Sequence, residues 1–226
     1  MSQTVEMHII ARIRSDFPTK FGIPRQSGLA DVPARIVFEP EYRNADALRG
    51  IEGFSHLSLI WQFSAAVRDG WSPTVRPPKL GGNKRIGVFA TRSPFRPNEI
   101  GLSSVRLDRV EPNTPDGPVL HISGADLMDG TPIFDIKPYL AYTDSHPEAL
   151  GGFALTTDAV RVECPAALLG KLPEERRQTL LNVLAQDPRP GYQHEPGRVY
   201  GFPFAGFEVK FTVEGDLLTV RQIESR

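Results

Sequence analysis

With 226 residues the chain is long enough to bury a sizeable core, either as one large β domain or as a domain with an appendage. Its 26 lysines and arginines against 27 aspartates and glutamates give a formal net charge of -1, which excludes a generally basic nucleic-acid binder and confines any polyanion contact to a local patch. The single cysteine, Cys164, excludes an internal disulfide and a multi-cysteine zinc site, while 21 prolines and 20 glycines break most apolar segments at lengths that favour strands and turns over long helices.

No apolar run approaches the roughly 20 residues that span a bilayer, and the opening MSQTVEMHII lacks the apolar core of a signal peptide, so a cytoplasmic protein is expected. Residues 7–14 alternate imperfectly and predict a first strand running into a loop. In that loop Pro24 fixes φ and Gly22 and Gly28 allow tight turns, which would hold the donors of Arg25 and Gln26 in a defined direction. Residues 34–38 read as a second strand, and 40–50 as a short helix started by its proline and stopped by its glycine. Residues 56–63, HLSLIWQF, place Leu57, Leu59, Trp61 and Phe63 on one face and His56, Ser58, Ile60 and Gln62 on the other. His56 is open to two readings, a structural histidine at the start of a strand or a base with a near-neutral pKa.

The stretch 76–102, RPPKLGGNKRIGVFATRSPFRPNEIGL, organises the rest. It predicts a strand at 86–90 between a Gly-Gly-Asn turn at 81–83 and a break at 91–94, with Arg76, Lys79, Lys84, Arg85, Arg92 and Arg96 crowded among prolines. That suits either a fixed anion-binding surface or a stiff hairpin whose arginines face solvent. Two scaffold strands follow at 104–110 and 118–122. The segment 124–144 then gathers Asp126, Asp129, Asp135, Lys137, Tyr139 and Asp144 around an Asp-Gly turn, as turn formers or as ligand contacts, without the loop pattern of a calcium site. Beyond about residue 150 the pattern predicts a small α+β unit: a strand at 159–164, an amphipathic helix at 173–187 stopped by two prolines, and strands at 199–204, 207–213 and 217–223. GxGxxG, GxxxxGK[ST], HExxH and GxSxG are all absent, which removes local support for Rossmann, P-loop, zincin and α/β-hydrolase chemistry.

Taken in order, Pro24-Arg25-Gln26, Phe54-Ser55-His56-Leu57, RPPKLGGN at 76–83, GVFATRSPFRPN at 87–98, DLMDGTPIFDIKPYL at 126–140 and QDPRPGY at 186–192 resemble the TsaA/TrmO family over nearly the whole chain. Glu99 and Ala141 stand where the family pattern continues with proline. The resemblance implies a mainly β chain: an N-terminal β-barrel methyltransferase domain at 1–150 and a small C-terminal α+β domain at 151–226. It further implies an S-adenosylmethionine-dependent enzyme, a homodimer, that methylates the N6 nitrogen of threonylcarbamoyladenosine next to the anticodon of tRNA. By the same resemblance Pro24, Arg25, Gln26, His56, Leu57, Arg92, Leu102, Asp126, Leu127, Met128 and Asp129 contact the cofactor.

For the proton that leaves a poorly nucleophilic nitrogen, the candidate acceptors are Asp126, Asp135, Tyr139 and His56. Lys84, Arg85, Arg96 and Lys137 are the candidates for tRNA phosphate or the threonyl carboxylate, and no metal is expected. Two alternatives stay open from the residues alone: a non-catalytic S-adenosylmethionine- or tRNA-binding module, and a phosphoesterase using the arginines on a phosphate.

Overall fold

The computed structural model describes residues 4–80, 83–154, 159–189, 195 and 197–226. Gly81 and Gly82 of the expected turn and residues 190–192 of the last motif lie outside the described residues. Eight strands come first: β1 (Ala11–Ser15), β2 (Pro33–Phe38), β3 (His56–Gln62), β4 (Thr74–Val75), β5 (Ile86–Gly87), β6 (Ile100–Glu111), β7 (Val119–Ser123) and β8 (Pro132–Pro138). Six of them close into an antiparallel barrel in the order β1-β2-β7-β6-β3-β8, and β4 pairs with β5 as a separate ribbon. Alternation along the strands turns Ile13, Ile36, Leu57, Leu59, Leu120, Ile122 and Ile133 inward, where all seven are fully buried. Each contributes about 1.5–3 kcal/mol by leaving water.

After the barrel come a single helical turn, α1 (Ala141–Asp144), then β9 (Arg161–Glu163), α2 (Ala166–Leu169), α3 (Glu174–Ala185), β10 (Tyr200–Phe204), β11 (Phe207–Glu214) and β12 (Leu217–Ser225). The last four strands form one sheet in the order β10-β11-β12-β9, with β9 parallel to β12. Leu180, Val183 and Leu184 of α3 are buried in the same core as that sheet. The mainly β chain with a barrel and a C-terminal sheet unit is therefore as expected.

Three local expectations change. The strand at 86–90 stops after Gly87, because its partner is the two-residue β4 and Val88–Ala90 turns at once, closed by the Thr91 amide donating to the Val88 carbonyl at 3.1 Å. The helix at 40–50 is two separate 3-10 turns, Pro40–Tyr42 and Ala45–Leu48, because the Asn44 side chain caps the second by accepting from the Asp46 amide at 3.0 Å. In the barrel β6 extends to Ile100 and Glu111, well beyond the apolar run that marked it, since pairing with β3 and β7 on either side supplies what local pattern does not.

The connection from β1 to β2 belongs to both units. Phe17, Ala30 and Val32 are buried in the C-terminal core, with the rings of Phe17 and Phe204 centred 5.5 Å apart. Gly22 has φ +93°, and a Cβ there would lie 2.2 Å from the Phe202 ring, so only glycine lets the loop press on the sheet at this point. Asp16, at the end of β1, lies 2.8 Å from the Arg176 guanidinium on α3. The loop that carries Pro24, Arg25 and Gln26 is thereby held down at both ends.

Candidate active site

A cavity of about 460 Å3 opens at the barrel rim. Its walls come from the 20–26 loop, the end of β3 with the turn after it, the 91–96 loop, the first residues of β6 and the 126–131 loop. Trp61 of β3 lies flat against β6 because Gly101 has no side chain; a Cβ there would sit 2.3 Å from the indole. From this position the Trp61 Nε1–H donates to Ser103 Oγ at 2.9 Å, and Ser103 in turn donates to Asp126 Oδ1 at 2.6 Å. Burial raises the Asp126 pKa, against the Ser103 hydrogen bond, two backbone amides and the charge of Arg92.

The mouth is tied by a chain of amide and guanidinium contacts. Arg92 Nη1 donates to Gln26 Oε1, and Gln26 Nε2 donates to the Arg25 carbonyl. Arg25 Nη2 donates to the carbonyl oxygens of Asp187 at 3.0 Å and Arg189 at 2.9 Å, just past the end of α3. Thr91 and Ser93 accept from Arg96 Nη1 through their carbonyls at 3.1 and 3.3 Å, so Arg96 braces the loop that carries Arg92.

Of the residues singled out in sequence, the cavity brings together Pro24, Arg25, Gln26, Arg92, Arg96, Leu102, Asp126 and Met128. Leu57 and Leu127 do not face it; their side chains are buried in the barrel core at 0 and 1 % exposure, so only their backbone can meet a ligand. Asp129 turns the other way, accepting from the Ser15 amide at 3.0 Å with its second oxygen 3.8 Å from Arg14.

His56, Asp135, Lys137 and Tyr139 form a second group on the β3–β8 seam. Asp135 stands opposite Ile60 and Lys137 opposite Ser58, while the His56 and Tyr139 rings are 6.2 Å apart. Lys137 pairs with Asp135 at 2.8 Å. Leu102 also stands opposite Ile60, which puts it on the same outer barrel face as this group, roughly 10 Å from Asp135 at two strand spacings. Arg85 is engaged within its ribbon, donating to Thr74 Oγ1 at 2.7 Å, whereas Lys84 is exposed and has no ion pair among the described residues. Sequence reading missed Trp61, Gly101 and Ser103 as site residues. A tryptophan on a strand needs a partner for its N–H, which is the signal that pointed there, but the partner is a matter of register.

A partly buried carboxylate, two arginines at the mouth and walls of Phe63, Leu102 and Met128 define a barrel-rim site for a small ligand with both apolar and charged parts, outside the Rossmann class. Residues 12–145 match the model of the tRNA-methyltransferase O N-terminal domain and residues 157–226 that of the TrmO C-terminal domain. The chain belongs to the TrmO family. It is 41% identical to the tRNA (adenine(37)-N6)-methyltransferase of Escherichia coli strain K12, over 96% of this chain and 97% of that protein. A Pseudomonas aeruginosa protein with the provisional name S-adenosylmethionine-dependent methyltransferase RcsF is 43% identical over 85% of each chain. The crystal structure of TrmO from P. aeruginosa superposes with a TM-score of 0.80 at 34% identity, covering 100% of this chain and 99% of that one.

The desolvation of Asp126 has a measurable sign. Its folded pKa is raised above the unfolded value, so the stability it contributes is fully present below about pH 4 and is lost as pH rises through the raised value. Asp126→Asn should remove that loss, so its denaturant midpoint should gain on wild type as pH rises from about 4 through the raised value. Parallel curves would mean that the carboxylate is not desolvated.

Proposed function

We propose that this protein is an S-adenosylmethionine-dependent methyltransferase that modifies the N6 nitrogen of adenosine 37 of tRNA, in its threonylcarbamoylated form. The observation that carries the reading is Asp126, a partly buried carboxylate in the wall of a cavity whose mouth holds Arg25 and Arg92. Those residues fit the cofactor: arginine donors for its carboxylate, apolar walls at Phe63, Leu102 and Met128 for its adenine, and a negative charge for its sulfonium. When bound, S-adenosylmethionine supplies an electrophilic methyl group.

Arg92, oriented by Gln26, fixes an anionic group at the mouth, and the rigid rim aligns the reactants for in-line transfer. Asp126 accepts the N6 proton at its carboxylate. Of the four acceptors suggested by sequence, it is the one in the cavity lining, and burial moves its pKa in the direction a base needs. Ser103, itself held by Trp61, orients that carboxylate through the hydrogen bond it donates. Lys84, exposed and without an ion pair among the described residues, is the surface cation offered to tRNA, whereas Lys137 must first leave Asp135 and Arg85 and Arg96 their loop contacts.

A homodimer is part of this proposal. Leu102 at the mouth is 64% exposed, and exposed Trp71 before β4 and Phe89 after β5 have ring centroids 6.1 Å apart, an apolar surface a second copy would cover. Sedimentation should give a dimer at micromolar concentration; a fully active monomer would contradict it.

Incubating protein, S-adenosylmethionine and tRNA and analysing nucleosides by mass spectrometry should show one methyl group gained on the modified adenosine at position 37. Arg92→Ala and Arg92→Lys should each lower kcat/KM by the equivalent of roughly 2–4 kcal/mol, because lysine keeps the charge and loses the fork. A near-normal Arg92→Lys enzyme would mean that simple charge attraction suffices.

A further inference from the structure

The barrel register builds a second basic feature that the cavity does not use. Arg14 of β1 stands opposite Arg35 of β2, Arg35 opposite His121 of β7, and His121 opposite Arg109 of β6. Their neighbours Ile13, Ile36, Leu120 and Ile122 point into the core, so these four basic side chains form one transverse row on the outer face. At the usual strand spacing the row is about 14 Å long.

Like charges directly opposite one another destabilise a sheet, and the ends of the row are compensated. Arg14 lies 3.8 Å from Asp129, Arg109 lies 3.0 Å from Glu111, and His121 lies 2.8 Å from the same carboxylate. Arg35, in the middle, is exposed and makes no side-chain hydrogen bond or ion pair among the described residues. It lines a concavity of about 370 Å3 beside Arg12 and Arg43. Of the carboxylates there, Glu39 is held by Arg12 at 2.7 Å, Asp116 by Arg43 at 3.6 Å, and Glu111 by Arg109. The acidic groups are each matched by a cation, and one planar guanidinium is left over in a hollow flanked by others.

We propose that this row is an RNA-backbone surface in which Arg35 takes a phosphate, with Arg14 and His121 on either side. The inference rests on the tRNA reading above, and the 126–131 loop gives it a place relative to the cavity. Asp126, Met128 and Thr131 of that loop line the cavity, while on its other side Asp129 faces Arg14 and the Gly130 carbonyl accepts from Arg12 Nη1 at 3.3 Å. An RNA whose target base enters the cavity can therefore run past the row one loop away. Arginine forks suit phosphate, and such contacts position the nucleic acid without reading its sequence.

The test uses the full chain, as wild type, Arg35→Ala and Arg35→Lys, titrated over a series of salt concentrations with tRNA that carries threonylcarbamoyladenosine at position 37. Arg35→Ala should weaken binding about three- to tenfold and lower the slope of log affinity against log salt by about one, with Arg35→Lys keeping the slope. The melting temperature should not fall, because removing Arg35 relieves its repulsion with Arg14. S-adenosylmethionine binding and the methylation rate at saturating tRNA should match wild type. Unchanged affinity and slope in Arg35→Ala, with methylation intact, would overturn the row alone. Arg35-dependent binding without any methylation by wild type would sink the catalytic reading and leave the row standing. Loss of stabilisation by inorganic phosphate in Arg35→Ala, with tRNA binding unaffected, would assign the hollow to a free anion and overturn the RNA assignment.

Discussion

Everything at the mouth of the cavity depends on one clasp, the Arg25 guanidinium held by the carbonyl oxygens of Asp187 and Arg189. Those carbonyls converge because the chain leaves α3 through Asp187 at φ +46°, a left-handed conformation that costs a non-glycine residue roughly 1–2 kcal/mol. The turn is held in return by Arg189, nearly buried, which binds the Asp187 carboxylate through two hydrogen bonds of 2.8 Å. A short motif after a C-terminal helix thus fixes an arginine in the first loop of the barrel. Through the Arg25 carbonyl and Gln26, the same clasp positions Arg92 on the opposite lip.

The floor is set by a different constraint. Asp126 is desolvated and must be hydrogen-bonded to stay in place, and its side-chain donor, Ser103, is itself fixed by Trp61. That arrangement requires glycine at 101, since any side chain there displaces the indole. Burial moves the pKa of this carboxylate upward, the direction that makes it a stronger proton acceptor than an exposed one. Floor and mouth are built by separate parts of the chain, and they share a cavity because the β1–β2 connection is packed into the C-terminal core at Phe17, Ala30 and Val32.

Much of this was legible in the residues. The alternation of HLSLIWQF gave the inward face of β3, and segments as far apart as 24–26, 92, 102 and 126 do line one cavity. What was not legible depends on tertiary geometry. Nothing local distinguishes Asp126, which faces the cavity, from Asp129, which faces Arg14 three residues on. Arg96 reads as a free cation until its carbonyl partners at Thr91 and Ser93 are seen. Ser103 and Gly101 carry no sequence signal at all, because their roles come from the β3–β6 register. The basic row of Arg14, Arg35, His121 and Arg109 is likewise invisible along the chain, being assembled from four strands.

The central claim, that the C-terminal turn holds the cofactor wall, is tested most directly by calorimetric titration of S-adenosylmethionine into Asp187→Ala. Asp187 does not line the cavity, and its removal leaves Arg189 unpaired and the turn unsupported. The account requires the dissociation constant to rise about tenfold or more, or about 1.4 kcal/mol, while the barrel itself stays folded. Wild-type affinity in that variant would show that the wall stands without the clasp.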